Sequence, residues 1–249
     1  MSHKEYRRIV PGADTAVLFV HGIVGTPEHF RVLIPLEQSV PESWSVHNVL
    51  LPGHGGTAED FAAGSMNAWR EHVRSAFEEL AAQHDRVIIA AHSMGTLFAI
   101  QLAVQYPEKV SFLFLLGVPM RPGVRLTMMR DSLMMVFGKL APEHVLWKAA
   151  GVTTTKKLWK YLFWVPRFLE LFREIYRTEK ILGALRTPCV AYQSQKDELV
   201  TNLSRGVLER SGVMEVRNLL ESTHFYYSAA DQQTVISDFM DRIKRNSHD

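Results

Sequence analysis

The chain is poor in cysteine. Cys189 is the one cysteine among 249 residues, so no intrachain disulfide can form and the fold must be stabilised by packing. No group of Cys and His residues has the spacing of a structural zinc site. The composition therefore predicts a protein of a reducing compartment, with a cytoplasmic location.

Long apolar runs, internal repeats and an excess of one charge are also missing. No run approaches the roughly 18 apolar residues that a membrane span needs, and residues 1–12 contain no apolar signal core. The absence of a repeat of about 20–50 residues argues against solenoids and propellers. Lys and Arg number 28 against 26 Asp and Glu, and no basic motif of a nucleic-acid-binding module appears. We therefore expect a soluble protein without a nucleic-acid partner.

Short runs of apolar and β-branched residues alternate with helical patterns along the chain. The helical patterns cover 66–83, 96–106 and 232–245, and the apolar runs cover 15–20, 45–50, 86–91, 111–118, 188–193 and 213–219. Strands that alternate with helices favour a mostly parallel sheet with helices on both of its faces. The pattern predicts the α/β class.

The alternation breaks between residues 119 and 187, where no strand pattern appears. We predict a helical cap (lid) insertion there, in a core built from 1–118 and 188–249. The segment has 13 Lys and Arg against 5 Asp and Glu, and holds three of the five tryptophans. Adaptable apolar side chains suit a ligand surface, so Trp159, Trp164 and Met120 are predicted to line the substrate pocket. The alternative is that they are ordinary core.

A short motif, Ala91-His92-Ser93-Met94-Gly95, lies between a predicted strand and a predicted helix. Small residues two positions before and after Ser93 fit a cramped strand-to-helix turn that presents a serine at the helix N-terminus. Backbone N–H groups and the helix dipole stabilise negative charge there, so the motif predicts a nucleophile. The alternative is that Ser93 simply caps the helix.

A nucleophilic serine needs a histidine base and an orienting carboxylate, in the chain order serine, acid, histidine. Asp197 and His224 each follow a predicted strand, and the carboxyl ends of parallel strands share one edge of a sheet. We therefore predict a catalytic triad of Ser93, Asp197 and His224. Glu198 is the competing acid. The other histidine after Asp197 is His248, which we expect in a frayed tail.

Backbone N–H groups of Ile23 and Met94 are the predicted oxyanion donors, because Ile23 follows the first strand and Met94 follows the serine. His21 precedes the serine, and we expect it to brace its loop through hydrogen bonds; a role as the base is the alternative. His54 and His92 are predicted to be structural.

Five motifs in this order resemble the α/β-hydrolase superfamily, and within it small bacterial carboxylesterases and monoacylglycerol lipases: His21-Gly22-x-x-Gly25-Thr26-Pro27, Leu51-Pro52-Gly53-His54-Gly55, Ala91-His92-Ser93-Met94-Gly95, Asp197 before Leu199-Val200, and Ser222-Thr223-His224. The resemblance runs from about residue 15 to 245, apart from the cap. It implies an eight-stranded, mostly parallel sheet, a lid, and ester hydrolysis through an acyl-enzyme. The chain departs from the pattern with Ala91 for glycine, with Thr96 where a further glycine is frequent, and with a cap whose sequence we cannot assign to a pattern of the family.

These observations predict hydrolysis of a monoacylglycerol or simple acyl ester, without a metal or organic cofactor. The basic cap leaves an acyl-CoA thioesterase or acyltransferase as the alternative, and a ligand-binding module without turnover as a remote one. Within the cap, residues 156–165 alternate lysines with bulky apolar residues. We expect this segment to cover the acyl chain; transient contact with a lipid surface is the other interpretation. The oligomeric state is left open.

Overall fold

The fold is given by a computed structural model that describes residues 3–245. Seven strands form one sheet in the order β1-β3-β2-β4-β5-β6-β7. Their bounds are β1 Tyr6–Arg8, β2 Thr15–Val20, β3 Ser45–Asn48, β4 Arg86–His92, β5 Val110–Leu116, β6 Cys189–Ser194 and β7 Glu215–Leu219. All neighbouring strands are parallel except β1 with β3. The predicted α/β class and mostly parallel sheet are confirmed.

The strand count of eight, which came from the resemblance, is wrong. The six apolar runs form β2 to β7, and β1 adds three residues that pair antiparallel with β3, with Tyr6 opposite Asn48. Within residues 3–245 no further segment pairs with the sheet as an eighth strand. The sheet therefore has seven strands within the described part of the chain.

Helices connect the strands. Their bounds are α1 Ala58–Ala63, α2 Met66–Gln83, α3 Met94–Gln105, α4 Leu126–Val136, α5 Leu146–Ala149, α6 Val165–Ile181, α7 Asn202–Ser211 and α8 Ala229–Arg245. Shorter 3₁₀ helices cover Pro27–Phe30, Glu37–Ser39, Leu158–Trp164 and Leu182–Ala184. The prediction for 66–83 matches α2, whereas α3 and α8 begin two and three residues earlier than their patterns suggested. Among residues 3–245 no helix combines the length and apolarity needed to cross a bilayer.

Each face of the sheet has its own apolar core, because side chains along the buried strands point alternately to the two faces. Leu18 and Ile89 belong to one core, together with apolar residues of α2, α3 and α6. Phe19 and Phe114 belong to the other, where they pack against Phe239 of α8. Successive strand residues point to opposite faces, which is why each face needs its own helices. The expected helices on both faces are present.

Residues 119–187 form α4, α5, α6 and two of the 3₁₀ helices, and this described stretch holds no strand. Helix α6 packs against α3. The buried Glu174 of α6 accepts hydrogen bonds at 2.9 Å from Arg70 Nε and at 2.8 Å from Gln101 Nε2. The segment is thus tied to the central body by α6. Its division from the core at 119 and 187 stays a prediction.

The sheet also fixes where the three predicted triad residues lie. Strand β4 ends at His92, β6 at Ser194 and β7 at Leu219. Strand β5 pairs in parallel with β4 and with β6, and β6 pairs in parallel with β7, so all of these strands run in the same direction. Their carboxyl ends therefore share one edge. The loops at that edge carry Ser93, Asp197 and His224.

Candidate active site

Ser93 occupies a strained turn between β4 and α3. Its backbone has φ 51° and ψ −124°, and among residues 3–245 Val24 is the other non-glycine residue with positive φ. Its side chain makes no capping hydrogen bond to α3, so the structure gives no support to the interpretation of Ser93 as a helix cap. The Ser93 N–H donates to Leu116 O at 2.9 Å. The Ser93 hydroxyl therefore lies at the N-terminus of α3 without a bond to that helix.

Glycines on both sides allow the turn to close. A Cβ on Gly95 would collide with the carbonyl oxygen of Val20 at the end of β2. A Cβ on Gly22 would lie 2.8 Å from the Ser93 Cβ. The loop after β2 and the turn after β4 therefore touch, and Ile23 and Met94 each directly follow one of the two touching residues.

Asp197 and His224 form a buried pair. The His224 Nδ1 lies 2.8 Å from Asp197 Oδ2, and their side chains are 1% and 2% exposed. The other oxygen, Oδ1, accepts from the N–H groups of Leu199 at 2.8 Å and Val200 at 2.7 Å. The carboxylate is held by its own loop and accepts the Nδ1 proton of His224. This tautomer leaves His224 Nε2 as a proton acceptor.

The imidazole of His224 lies beside the Ser93 turn. A Cβ built on Gly117 would be 3.4 Å from His224 Cε1, and Gly117 directly follows Leu116, which accepts the Ser93 N–H. The ring of His92 is 4.6 Å from the ring of His224, centroid to centroid. Of the three predicted triad residues, Asp197 and His224 are paired directly, and the turn that carries Ser93 lies at the same edge of the sheet. His248 lies outside the described residues.

Glu198 contacts His224 differently from Asp197. Its Oε2 accepts the backbone N–H of His224 at 2.9 Å, and its own carbonyl accepts the N–H of Arg125 at 2.8 Å. The structure thus places Asp197 on the imidazole and Glu198 on the main chain. The sequence pattern made Glu198 a competitor for the role of the acid. It did not predict the hydrogen bond from the His224 backbone N–H to Glu198.

The backbone N–H groups of the predicted oxyanion donors are not used within the described part of the fold. Met94 is the first residue of α3, where helix N–H groups have no intrahelical partner. Ile23 lies in the turn closed by the Gly25 N–H bond to Gly22 O at 3.0 Å. Within the described chain neither the Ile23 nor the Met94 N–H has a protein acceptor. Met94 directly follows Ser93, and Ile23 directly follows Gly22, which touches Ser93.

His21 braces the loop as predicted. Its Nδ1 donates to Gly22 O at 2.8 Å, and its Nε2 accepts from Leu51 N–H at 3.1 Å. Both ring nitrogens are used, so the structure does not favour His21 as a base. His54 Nε2 accepts from Val24 N–H at 3.2 Å. Burial lowers the pKa of His54 to about 4 and lowers the pKa of His21 well below its usual range.

A stack of histidines supports the other side of His224. The His92 Nε2 lies 3.2 Å from the carbonyl oxygen of His224, and the His92 ring stacks on His29 at 3.7 Å. His29 Nε2 contacts the Tyr227 hydroxyl at 3.1 Å. Burial, followed by the neighbouring imidazoles, lowers the pKa of His29 and of His92 well below its usual range. No local sequence signal marks this stack, because its members come from segments far apart in the chain: a 3₁₀ helix, the end of β4 and the loop after β7.

An apolar cavity of about 160 Å³ opens beside these loops. Val24 and Phe225 border it, and each directly follows a site residue in the chain. The remaining lining comes mostly from residues 128–164: Met128, Ser132, Met135, Val136, Leu146, Ala149, Ala150, Val152, Thr154, Tyr161 and Trp164. Ser93 and His224 do not line the cavity themselves, but a largely apolar cavity beside their loops can hold an acyl chain.

The three residues predicted to line the pocket have different places. Trp164 lines the cavity, and its indole N–H donates to Ala58 O at 2.9 Å. Trp159 is 58% exposed and borders a separate surface depression with Glu59 and Phe163. Met120 is buried in the core that contains α3. The structure brings Trp164, but neither Trp159 nor Met120, to the cavity.

A second cavity, of about 310 Å³, adjoins the first and shares Phe225, Met128 and Leu146 with it. Its lining is more polar and includes the carboxylates of Asp131, Glu143 and Glu198. In the described part of the chain, no three His, Cys, Asp or Glu side chains are grouped so that they could hold a metal ion. Sequence reasoning did not foresee this carboxylate-lined space.

Comparison with known proteins gives one family match over most of the chain. The family model described as the alpha/beta hydrolase family matches residues 17–236. Two curated relatives, both pimeloyl-[acyl-carrier protein] methyl ester esterases of Neisseria meningitidis, are 32% identical over 118 residues, which is 46% of this chain. These matches span 34% and 41% of the relatives' own lengths.

Solved structures of similar architecture include lipolytic enzymes. One of the metagenome-derived lipolytic enzymes LipS and LipT is 20% identical with a TM-score of 0.74, and the alignment covers 98% of each chain. A soluble variant of monoglyceride lipase from Saccharomyces cerevisiae is 14% identical with a TM-score of 0.68, over 97% of this chain and 90% of that one. At these identities the likeness shows a shared fold.

Proposed function

Because the chain belongs to the alpha/beta hydrolase family, we propose that it is a serine esterase with Ser93 as nucleophile, His224 as base and Asp197 as orienting acid. One observation carries the proposal. Ser93 has a positive φ of 51° although it is not glycine, and its hydroxyl does not cap the helix. Such backbone strain costs of the order of 1–3 kcal/mol and clusters at functional sites.

In the first half of the reaction, the Ser93 Oγ attacks the ester carbonyl carbon while His224 Nε2 takes the hydroxyl proton. Asp197 stabilises the imidazolium through the 2.8 Å contact at Nδ1. The negative carbonyl oxygen accepts hydrogen bonds from the Ile23 and Met94 N–H groups. The C–O bond to the alcohol then breaks, and His224 returns the proton to the leaving alcohol.

In the second half, water takes the place of the alcohol. His224 removes a proton from water, and the hydroxyl oxygen attacks the carbonyl carbon of the acyl-enzyme. The bond to Ser93 Oγ then breaks as His224 donates the proton back, which releases the carboxylic acid and regenerates the site. Each group acts in both halves, so no metal or organic cofactor is needed for this chemistry.

The substrate we propose is a simple carboxylic ester or monoacylglycerol. The apolar cavity bordered by Trp164 suits a medium or long acyl chain. The adjacent carboxylate-lined cavity suits a small, uncharged alcohol, because hydroxyl groups can donate to Asp131, Glu143 and Glu198. We also propose that residues 119–187 form a cap, since most of the apolar lining comes from them.

An acyl-CoA thioesterase or acyltransferase is the second candidate. The cationic excess of residues 119–187, with 13 Lys and Arg against 5 Asp and Glu, favours an anionic leaving group. The carboxylates beside Phe225 oppose it, because they would repel phosphates at the position proposed for the alcohol. We therefore rank the carboxylic ester first.

A hydrolysis profile tests the proposal. Initial rates are measured on acyl esters of increasing chain length, each with glycerol, methyl and CoA as the leaving group, for the wild-type chain and Ser93→Ala. The proposal expects glycerol or methyl esters to be preferred and the Ser93→Ala variant to be inactive. A preference for CoA would assign the thioesterase or acyltransferase function. Tight ester binding without turnover by the wild-type chain would assign a ligand-binding module.

A further inference from the structure

Exposed large apolar side chains are concentrated on residues 119–187. Of the 19 such residues in the described chain, 15 lie in this segment, and Leu126 on α4 is 81% exposed. We define the outer face as these 15 residues: Val124, Leu126, Met129, Leu133, Phe137, Trp147, Leu158, Trp159, Leu162, Phe163, Val165, Phe168, Leu169, Phe172 and Tyr176. Exposed apolar residues concentrated in one segment to this degree point to an interaction site.

The outer face is organised by helical periodicity. Val165, Leu169, Phe172 and Tyr176 of α6 are spaced by four, three and four residues, so they lie along one side of the helix. The opposite side of α6 is buried and carries Leu171, Glu174, Ile175 and Thr178. Helix α6 is therefore anchored by one side and presents a mostly apolar side to solvent, where Lys180 lies over the Tyr176 ring. On α4 the exposed Leu126, Met129 and Leu133 repeat the same spacing.

Cations without an ion-pair partner accompany the outer face. In the described chain no ion pair is made by Arg125, Lys139, Lys148, Lys156, Lys157, Arg173 or Lys180, all of which are exposed. Four of the five acidic residues of the segment, Asp131, Glu170, Glu174 and Glu179, are already paired with Arg or His side chains. The surface is therefore apolar and positively charged at the same time.

We propose that the outer face docks on a lipid surface that carries anionic headgroups. Bulky apolar side chains enter the acyl boundary, and lysines and arginines meet the phosphates, as in interfacial amphipathic segments. A second copy of this chain fits less well, because two faces of the same positive charge would repel each other.

The apolar cavity lies between α4 and the 3₁₀ helix Leu158–Trp164, both of which contribute to the outer face. In a docked molecule the apolar cavity therefore lies next to the lipid surface.

Vesicle flotation tests the docking, which goes beyond the proposed hydrolysis and does not depend on it. Wild-type protein and Ser93→Ala are each mixed with vesicles of phosphatidylcholine alone or of phosphatidylcholine with phosphatidylglycerol. We expect both proteins to float with the anionic vesicles and to be released as the salt concentration rises, because salt screens surface charge.

Two pairs of matched variants locate the contact. Leu162→Gln/Leu169→Gln removes apolar contacts of the outer face, and Leu203→Gln/Leu220→Gln changes equally exposed leucines elsewhere. Lys156→Gln/Lys157→Gln removes two cations of the segment, and Lys4→Gln/Arg210→Gln removes two exposed cations outside it. We expect each outer-face variant to lose roughly tenfold or more in vesicle affinity, and the controls to bind like wild type.

Activity on a short soluble ester separates the two proposals. The four variants keep the wild-type rate on that ester if the outer face serves docking alone, because none of the changed residues lines the apolar cavity. Absence of flotation by the wild-type protein would overturn the docking proposal and leave the hydrolase proposal intact. Equal losses in the control variants would overturn it too. Binding to an acidic protein, with no binding to vesicles, would assign the outer face to a protein partner instead.

Discussion

Glu198 accepts the backbone N–H of His224 at 2.9 Å, one residue away from the Asp197 carboxylate that accepts the imidazole N–H of the same histidine at 2.8 Å. Two adjacent acids therefore hold one histidine, the first by its ring and the second by its main chain. Only the ring contact changes when the imidazole gains or loses a proton. Their replacement should for this reason have unequal effects.

Asp197→Asn and Glu198→Gln test that inequality. An asparagine at 197 removes the charge and disfavours the required tautomer, so kcat should fall roughly 10³–10⁴-fold. A glutamine at 198 keeps an oxygen acceptor for the His224 N–H, so kcat should stay within about tenfold of wild type. Steady-state kinetics on one soluble ester compares the pair. A larger loss for Glu198→Gln would make Glu198 the catalytic acid.

The acyl cavity predicts different outcomes for two tryptophans of the same 3₁₀ helix. Trp164 lines the cavity, whereas Trp159 is exposed outside it. Burial of each methylene contributes about 0.8 kcal/mol, so kcat/KM should rise about fourfold per added CH₂ until the cavity is full. Trp164→Ala should flatten this rise on soluble monomeric esters, and Trp159→Ala should preserve it. Flattening by Trp159→Ala alone would place the acyl chain elsewhere.

Acid should destabilise the folded state through its buried histidines. Burial lowers the pKa of His54 to about 4 and lowers those of His21, His29 and His92 in the same direction. The unfolded chain, whose imidazoles titrate near 6.5, then binds more protons than the folded chain at lower pH. The free energy of unfolding should fall by about 1.4 kcal/mol per pH unit for each such histidine as pH drops below about 6.5.

Denaturant unfolding between pH 7.5 and 5 measures this loss. The free energy of unfolding should change less steeply with pH in His54→Gln than in wild type. The difference should equal the contribution of one bound proton, because one titrating group is removed. If the free energy of unfolding stays constant over this range, the buried histidines are not held neutral in the folded state.

Cys189 should take no part in catalysis. It is buried in β6 opposite Leu113 of β5, and burial raises the pKa of its thiol, which keeps the reactive thiolate scarce. Cys189→Ala should retain kcat within about twofold. Iodoacetamide should leave the native enzyme active over the time of an assay. Inactivation that substrate prevents would instead place this cysteine at the site.

Sequence patterns predicted the strands and helices that are long and apolar. The runs that form β2 and α2 carry their own periodicity, so their positions were recovered to within a residue. The edge strand at Tyr6–Arg8 was missed because three polar or aromatic residues have no strand pattern, and pairing with β3 decides their conformation. The expected eighth strand came from the resemblance alone.

Site residues could be predicted where a motif and its place in the chain mark them. Ser93, Asp197 and His224 were predicted because they occur in the chain order of the α/β-hydrolase pattern, and the structure pairs Asp197 with His224. The stack of His29 on His92 and the main-chain contact of Glu198 have no such order. Likewise, Trp159 and Trp164 share one local pattern, and only packing separates the exposed ring from the one at the cavity.

The most direct test of the central claim is covalent labelling of the intact protein with a fluorophosphonate, followed by mass spectrometry of its peptides. The reagent phosphonylates a serine that a histidine has activated. Our account predicts one adduct per chain, on Ser93, together with complete loss of ester hydrolysis and no adduct on Ser93→Ala. An unlabelled wild-type protein that still hydrolyses esters, or hydrolysis at the wild-type rate by Ser93→Ala, would contradict it.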